Sequence, residues 1–339
     1  MHALDDESRI FLVIGCGSIG KRHIANLIAL KAGEIVAFDV REDRREEVKS
    51  KFGVNTVDNL NDAWKLDPRI ALIAVSTNLH VSYAIEAAKR GCHLFIEKPL
   101  SDCMEGVDEL LEIVARKGLI TLVGCNMRFH PGLMTVKRLL GEKAIGRVVT
   151  ARAEFGKYLP DWHPWEDYRN GYSAQGKLGG GVILDAIHEI DYIRWMIGEV
   201  EAVSCFAGKL SRLEIDTEDT AAIILSFNDG TIGEIHLDYV QRTLSRGCQI
   251  VGDEGTIRWD FNPGGVDWYS AKGGTWQVLP PPTDWNPNQM YVDEMIHFLR
   301  CVDGEEKPAL DVNEGARVLQ IALAAKLSAE TRKFVGIGN

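Results

Sequence analysis

Residues 10–20 read Ile-Phe-Leu-Val-Ile-Gly-Cys-Gly-Ser-Ile-Gly, and this stretch decides the fold. Its apolar start, residues 10–14, predicts a buried strand, and a helix pattern runs from Ile19 to about Lys31. A GxGxxG pattern between a strand and a helix is typical of a dinucleotide-binding turn, in which the helix N-terminus favours a pyrophosphate. The predicted cofactor contacts in this turn are Gly15, Gly17, Ser18, Ile19 and Gly20. A glycine turn without a ligand is the alternative.

The choice of dinucleotide depends on Asp39, which ends the next predicted strand 19 residues after Gly20. A carboxylate at this place accepts hydrogen bonds from a ribose diol and repels a 2′-phosphate, so NAD is favoured over NADP. Arg41, two residues further on, could stack on adenine or bind NADP. We therefore predict NAD as the cofactor and keep NADP as an alternative.

The first 125 residues alternate apolar strands with helices, which predicts parallel βαβ units and an α/β fold with a doubly wound Rossmann sheet. From residue 126 the pattern changes to strands with few helices between them, and Asn228-Asp229-Gly230 marks a tight hairpin. One helix, Gly181–Ile197, interrupts these strands, and two close the chain near Asn288–Val302 and Glu314–Arg332. We predict a dinucleotide-binding domain at 1–125. An α+β domain with a large, open, mostly antiparallel sheet follows at 126–339, for substrate binding and oligomerisation.

Two further groups of residues follow predicted parallel strands, at the sheet edge where α/β proteins bind ligands. The first group is predicted to contact the cofactor and comprises Ser76, Thr77, Asn78 and His80, with a helix N-cap as the alternative. The second is Glu97-Lys98-Pro99, in which Glu97 and Lys98 are also predicted to contact the cofactor. Lys98 could polarise a substrate oxygen, and Pro99 could adopt a cis bond. A surface salt bridge before a turn is the alternative for this triplet.

The predicted helix of residues 181–197 carries Asp185 and His188, which at a spacing of three would share a face. A carboxylate beside an imidazole raises its basicity, so His188 is a candidate general base. A histidine that packs in the helix interface with a local acid partner is the alternative.

Four motifs, in this order, resemble the Gfo/Idh/MocA oxidoreductase family across essentially the whole chain: GCGSIGKRH (15–23), EKP (97–99), NMRFHP (126–131) and GGGVILDAIHEID (179–191). The resemblance implies an NAD(P)-dependent dehydrogenase or reductase acting on a sugar, sugar derivative or cyclitol. It places the catalytic lysine on Lys98, the catalytic histidine on His188 and the supporting aspartate on Asp185. Many members place this acid four residues before the histidine, whereas in this chain Asp185 stands three residues before His188. Asn126 and Arg128 are implied to contact the substrate.

Residues 160–172 are dense in aromatic and polar groups, which suits a polar ring that stacks and accepts hydrogen bonds. The predicted substrate-binding residues here are His163, Trp165, Arg169 and Tyr172. A loop that packs on the sheet, or a subunit contact, is the alternative. The segment also resembles that of family members associated with surface-sugar or nonulosonate biosynthesis.

The composition excludes several classes of protein. A net charge of −11 disfavours nucleic acid as a partner. The chain has no apolar run of about 18 residues, and its acidic start has no signal core, so we predict a cytoplasmic protein. Seven cysteines without a CxxC pattern predict reduced thiols and no metal site. The open sheet makes a homodimer or homotetramer plausible. A sugar- or NAD-sensing regulator and a hydrolase using NAD transiently are the alternative functions.

Overall fold

The computed structural model describes residues 9–262 and 264–338, which divide into two compact units. The first unit contains the described residues up to Cys125 together with Asn288–Ala316. The second contains Asn126–Pro287 and the described residues from Arg317 onward. The segment 288–316, which lies in the second predicted domain, is thus part of the first unit.

The first unit is built on a six-stranded sheet in which every pairing is parallel. The strands, in spatial order, are β3 (Asn55–Val57), β2 (Glu34–Phe38), β1 (Ile10–Ile14), β4 (Ile70–Ile73), β5 (His93–Glu97) and β6 (Thr121–Gly124). This order is that of the dinucleotide-binding doubly wound fold, with its crevice at the carboxyl ends of the strands. The predicted Rossmann sheet is confirmed, and the short strand β3 was not predicted.

Helices cover the sheet of the first unit. They are α1 (Ser18–Leu30), α2 (Glu42–Phe52), α3 (Leu60–Trp64), α4 (His80–Arg90), α5 (Val107–Lys117), α9 (Gln289–Val302) and the start of α10 (Val312–Thr331). Helix α9 supplies Met295, Phe298 and Leu299 to the same apolar core as Phe11 and Phe95. The Phe95 and Phe298 rings meet edge to face at 5.6 Å between centroids. This apolar stripe explains why the segment 288–316 belongs with the first unit.

The second unit is built on a nine-stranded, mostly antiparallel sheet, in which β7 and β10 pair in parallel. The strands, in spatial order, are β14 (Thr275–Leu279), β13 (Val266–Ser270), β12 (Gly255–Asp260), β11 (Ser245–Gly252), β7 (Val148–Gly156), β10 (Ile232–Asp238), β9 (Thr220–Phe227), β8 (Val200–Gly208) and β15 (Val335–Gly336). The predicted hairpin at residues 228–230 joins β9 to β10, and Gly230 has the positive φ of 86° that a tight turn needs. The predicted open sheet is confirmed, whereas β13, β14 and β15 were not predicted.

The helices of the second unit are α6 (Pro131–Gly141), α7 (Val182–Asp185), α8 (Ile187–Ile197) and the rest of α10. The prediction of one continuous helix over residues 181–197 is wrong, because the backbone of Ala186 leaves the helical region, with φ −92° and ψ 34°. Helix α6, which begins at Pro131 with His130 as its N-cap, was not predicted. Among the described residues, no helix is long and apolar enough to cross a membrane.

Candidate active site

The glycine-rich turn of the first unit has a shape that requires glycine at two positions. Gly15 has φ +104°, and a Cβ atom there would lie closer than 3.0 Å to the carbonyl oxygen of Ala74. A Cβ on Gly20 would approach the Gly15 carbonyl equally closely, so α1 could not pack against the turn. Apart from the neighbours of Gly17 in the chain, the described atom nearest to a Cβ there would be Nη1 of Arg44, at 3.9 Å, which leaves open space above the turn. Tight packing below and open space above fit a bound dinucleotide pyrophosphate.

Asp39 is buried directly after β2 and is held by the turn that it faces. One carboxylate oxygen accepts a hydrogen bond from the Cys16 amide at 2.8 Å, and the other accepts from the Arg41 amide at 2.9 Å. The Arg41 side chain turns to Asp43, with Nε 3.0 Å from a carboxylate oxygen. Asp39 is therefore a fixed acceptor beside the glycine turn, whereas Arg41 is engaged in an exposed ion pair.

The residues after β4 form a short turn that leads into α4. Ser76 donates to the side-chain oxygen of Asn78 at 2.8 Å, and Thr77 is buried. His80 is also buried, with Nδ1 at 2.7 Å from the Pro99 carbonyl and Nε2 at 3.1 Å from the Val75 carbonyl. Burial lowers the pKa of His80 and outweighs the two carbonyl contacts, which favour the charged ring. His80 thus connects the backbone that follows β4 with the backbone that follows β5, at the edge of the sheet where a ligand is predicted to bind.

Glu97 is the last residue of β5, and Lys98 and Pro99 follow it. The Lys98–Pro99 peptide bond is cis, which was one of the predicted options. The Glu97 carboxylate is buried and lies 2.6 Å from Nε2 of His23, while the Lys98 amide donates to it at 3.2 Å. Burial would raise the pKa of Glu97, but the hydrogen bond and charge of His23 hold that pKa below its usual range. His23 and His80 therefore hold the residues on either side of Lys98. His23 belongs to the glycine-rich motif of residues 15–23, but no role was predicted for it. Its position on the buried face of α1 is the signal that indicates one.

In the second unit, Asp185 is buried and accepts hydrogen bonds from three hydroxyl groups. These come from Tyr172, from Ser173 at 2.6 Å and from Tyr239 at 3.1 Å. Burial, with the negative charge of Asp185 next to it, raises the pKa of Tyr239 well above its usual value, so its hydroxyl stays a donor. The structure brings the predicted residues Asp185 and Tyr172 together. Ser173 and Tyr239 were missed, because no local pattern indicated them.

His188 is buried in the first turn of α8, beyond the break at Ala186. Asp185 is the last residue of α7, so the two residues do not belong to one continuous helix. The expectation that they share a helix face is wrong for this reason.

Arg128 and Asn126 lie in a buried turn that precedes α6. The Arg128 guanidinium donates to the fully buried Asp191 carboxylate, through Nε at 3.0 Å and Nη2 at 2.7 Å. It also lies over the Trp195 ring, 5.5 Å from the centroid. The structure thus places Arg128 in a buried ion pair.

The remaining predicted substrate residues lie in the exposed part of segment 160–172. Trp165 is 74% exposed and stands edge to face with His163, 5.4 Å between centroids. Arg169 donates to Asp167 and Glu214 at 2.8 Å, in an exposed network. Tyr172 is the residue of this segment that contacts Asp185. Within the described part of the chain, no cluster of three histidine, cysteine or acidic side chains could hold a metal ion.

Comparisons with known proteins agree with this fold. Residues 10–125 match the oxidoreductase family with an NAD-binding Rossmann fold, and residues 133–258 match the GFO/IDH/MocA C-terminal domain. The chain is 30% identical to myo-inositol 2-dehydrogenase of Thermotoga maritima, covering 95% of this chain and 97% of that protein. It is 26% identical to scyllo-inositol 2-dehydrogenase (NAD(+)) of Bacillus subtilis, covering 92% of each.

The solved structure of levoglucosan dehydrogenase in complex with NADH and L-sorbose has the same fold. The TM-score is 0.89 at 21% identity, covering 98% of this chain and 99% of that one. The match of residues 10–125 confirms the predicted NAD-binding Rossmann domain.

Proposed function

Because the chain belongs to the Gfo/Idh/MocA family of NAD-binding oxidoreductases, we propose that it oxidises a ring hydroxyl of a cyclitol or sugar to the ketone. The observation that carries this substrate class is the 30% identity, over 95% of the chain, to an enzyme named myo-inositol 2-dehydrogenase. Other relatives are named as dehydrogenases or reductases of levoglucosan, 1,5-anhydro-D-fructose and D-apiose, which are also polyhydroxylated rings. Cyclitols are therefore the first substrates to test, and sugars the second.

The cofactor is held by the first unit. The glycine turn receives the pyrophosphate, and the fixed Asp39 carboxylate accepts from the adenosine ribose. The candidate contacts lie in or next to the turns that follow β4 and β5; they are Ser76, Thr77, Asn78, His80 and Glu97. The chemistry that bound NAD supplies is acceptance of a hydride at its nicotinamide ring.

Two side chains act on the proton and the developing charge, and a third holds a substrate contact in place. Lys98 donates a hydrogen bond to the oxygen of the reacting carbon and stabilises its partial negative charge. His188 accepts the proton of that hydroxyl as a general base, and ketone reduction returns it. Asp185 fixes the Tyr172 hydroxyl, which contacts the substrate ring. Asn126, His163, Trp165 and Arg169 are proposed as further substrate contacts, and Arg128 acts on the site through the buried pair with Asp191.

We propose that residues 1–125 bind the cofactor and that residues 126–339 serve substrate binding and oligomerisation. Within the latter range, segment 288–316 completes the first unit. The open sheet of the second unit exposes large apolar side chains, among them Phe206, Ile224 and Ile232, which supports a homodimer or homotetramer. A cytoplasmic location completes the proposal.

The test is NADH formation by the purified protein with NAD and a panel of inositols, levoglucosan, free sugars and nucleotide-activated amino sugars. We expect one inositol or sugar to give a signal that falls by at least about 100-fold in Lys98→Ala and in His188→Asn, since each removes a group that acts in the transition state. Lys117→Ala is the matched control, because Lys117 is an exposed lysine at the end of α5. Silence across the panel, with NAD binding confirmed by titration, would refute the proposed substrate class.

A further inference from the structure

Three arginines lie near Asp39, namely Arg41 just before α2 and Arg44 and Arg45 in its first turns, and each has a different contact. Arg41 pairs with Asp43 through Nε and Nη2 at the exposed surface. Arg45 donates to the backbone carbonyl of Asp39 at 2.8 Å. Arg44 approaches the Asp39 carboxylate itself, with Nη1 3.6 Å from Oδ2.

Arg44 also borders the open space above the glycine turn. Among the described residues, and apart from Gly17 and its two chain neighbours, its Nη1 atom is the one that comes within 4 Å of the place where a Cβ on Gly17 would lie. Its side chain is 41% exposed, so the guanidinium can reorient toward a ligand at little cost. The guanidinium therefore lies next to both groups that a dinucleotide is expected to contact: the ribose acceptor Asp39 and the glycine turn.

The charge balance at Asp39 follows from this arrangement. The ribose 2′-hydroxyl, when bound to Asp39 Oδ2, lies within reach of Arg44. A phosphate at this position would be repelled by the Asp39 carboxylate and bound by the Arg44 guanidinium. Arg41 cannot take this part without first giving up its two hydrogen bonds to Asp43.

We propose that Arg44 determines how well this chain binds a dinucleotide with a 2′-phosphate, and that Arg41 does not. In the natural chain Asp39 opposes the 2′-phosphate, so NAD is the better ligand. With the carboxylate neutralised, Arg44 becomes the main attraction for that phosphate. This inference concerns cofactor binding and does not depend on the substrate proposed above.

The experiment measures the dissociation constants of NAD⁺ and NADP⁺ by calorimetric titration of the full chain. The variants are Asp39→Asn alone and combined with Arg44→Gln or with Arg41→Gln. Asparagine keeps a side-chain oxygen that accepts from the Cys16 amide, and the ratio of the two constants within one protein cancels any general loss of binding. Adenosine 2′,5′-bisphosphate and 5′-AMP serve as probes of the adenosine half.

We expect Asp39→Asn to shift the NADP⁺/NAD⁺ affinity ratio toward NADP⁺, and Arg44→Gln to reverse this shift by about 10- to 100-fold, the value of a charged hydrogen bond. Arg41→Gln should leave the ratio within about 3-fold. An equal effect of both arginine variants, or no effect of Arg44→Gln, would overturn the proposal. If Asp39→Asn does not fold, Arg44→Gln and Arg41→Gln in the natural background give the same comparison, because Arg44→Gln alone should weaken NADP⁺ relative to NAD⁺.

Discussion

Asp191→Asn tests whether Arg128 belongs to the scaffold of the second unit. Asp191 is fully buried on α8, and its carboxylate accepts hydrogen bonds from Arg128 at 2.7, 3.0 and 3.2 Å. Asparagine preserves the shape of the side chain and removes its negative charge. Arg128, itself 5% exposed, would then keep a positive charge away from water without its counterion.

The magnitude follows from the cost of an uncompensated buried charge. Removing one partner of a buried ion pair destabilises a protein by about 3–5 kcal/mol, and because asparagine keeps one acceptor oxygen we expect about 3 kcal/mol. For a unit of about 150–250 residues each kcal/mol lowers Tm by about 2–4 °C, so Tm should fall by about 6–12 °C.

The assay is urea unfolding together with calorimetry on Asp191→Asn and on two comparison proteins. Glu142→Gln removes an exposed partner of Arg138 and should change the free energy of unfolding by less than about 0.5 kcal/mol. Arg128→Met combined with Asp191→Leu removes both charges and should recover most of the loss. A loss below about 1 kcal/mol in Asp191→Asn, with a raised KM, would refute the structural interpretation and return Arg128 to a direct substrate contact.

The remaining predictions concern the turn, a buried histidine and the Asp185 hydroxyls. Gly20→Ala should weaken NAD binding at least about 10-fold, because its Cβ would collide with the Gly15 carbonyl. Gly141→Ala should have no effect in the same titration, because a Cβ there would meet no described atom within 4 Å beyond its chain neighbours and the backbone of its own helix. Burial lowers the pKa of His130 to about 4, below the value of about 6.5 expected in the unfolded chain. The stabilisation that comes from keeping this ring neutral is complete above pH ~6.5 and is lost as the pH falls toward 4. At pH 5 the loss is about 2 kcal/mol. The variant His130→Asn keeps an acceptor for the Gly132 amide but has no imidazole to protonate. Between pH 7 and pH 5, its free energy of unfolding should therefore fall by about 2 kcal/mol less than that of the natural chain, and an equal fall in both proteins would contradict this. Tyr172→Phe should lower kcat/KM by about 10-fold with NAD affinity unchanged, and weakened NAD binding would argue against its place on the substrate.

The parallel sheet was predictable because its determinants are local. Apart from β3, each strand is an apolar run, the predicted strands are separated by helix patterns, and the glycine turn is marked by its own short motif. The same is true of the hairpin at residues 228–230, which needs a positive φ at Gly230. For such elements the neighbouring residues carry nearly all the information.

The broken helix was not predictable in this way, since residues 182–197 contain neither glycine nor proline that would mark an interruption. The break at Ala186 directly follows Asp185, whose partner Tyr239 is distant in sequence. The ion pair of Arg128 was not predictable for a similar reason, because its partner Asp191 lies 63 residues away in the sequence. Contacts between polar side chains at such distances leave no periodic signal.

Helix α9 has a consequence for how the protein is made. It contributes core residues to a unit whose other part ends at Cys125, so the chain must be synthesised to Val302 before that core can close. At about 5–20 residues per second, a ribosome needs roughly 10–35 s to cross this interval. During that time the nascent nucleotide-binding unit presents uncovered apolar side chains, which makes it a natural client for chaperones that bind emerging chains.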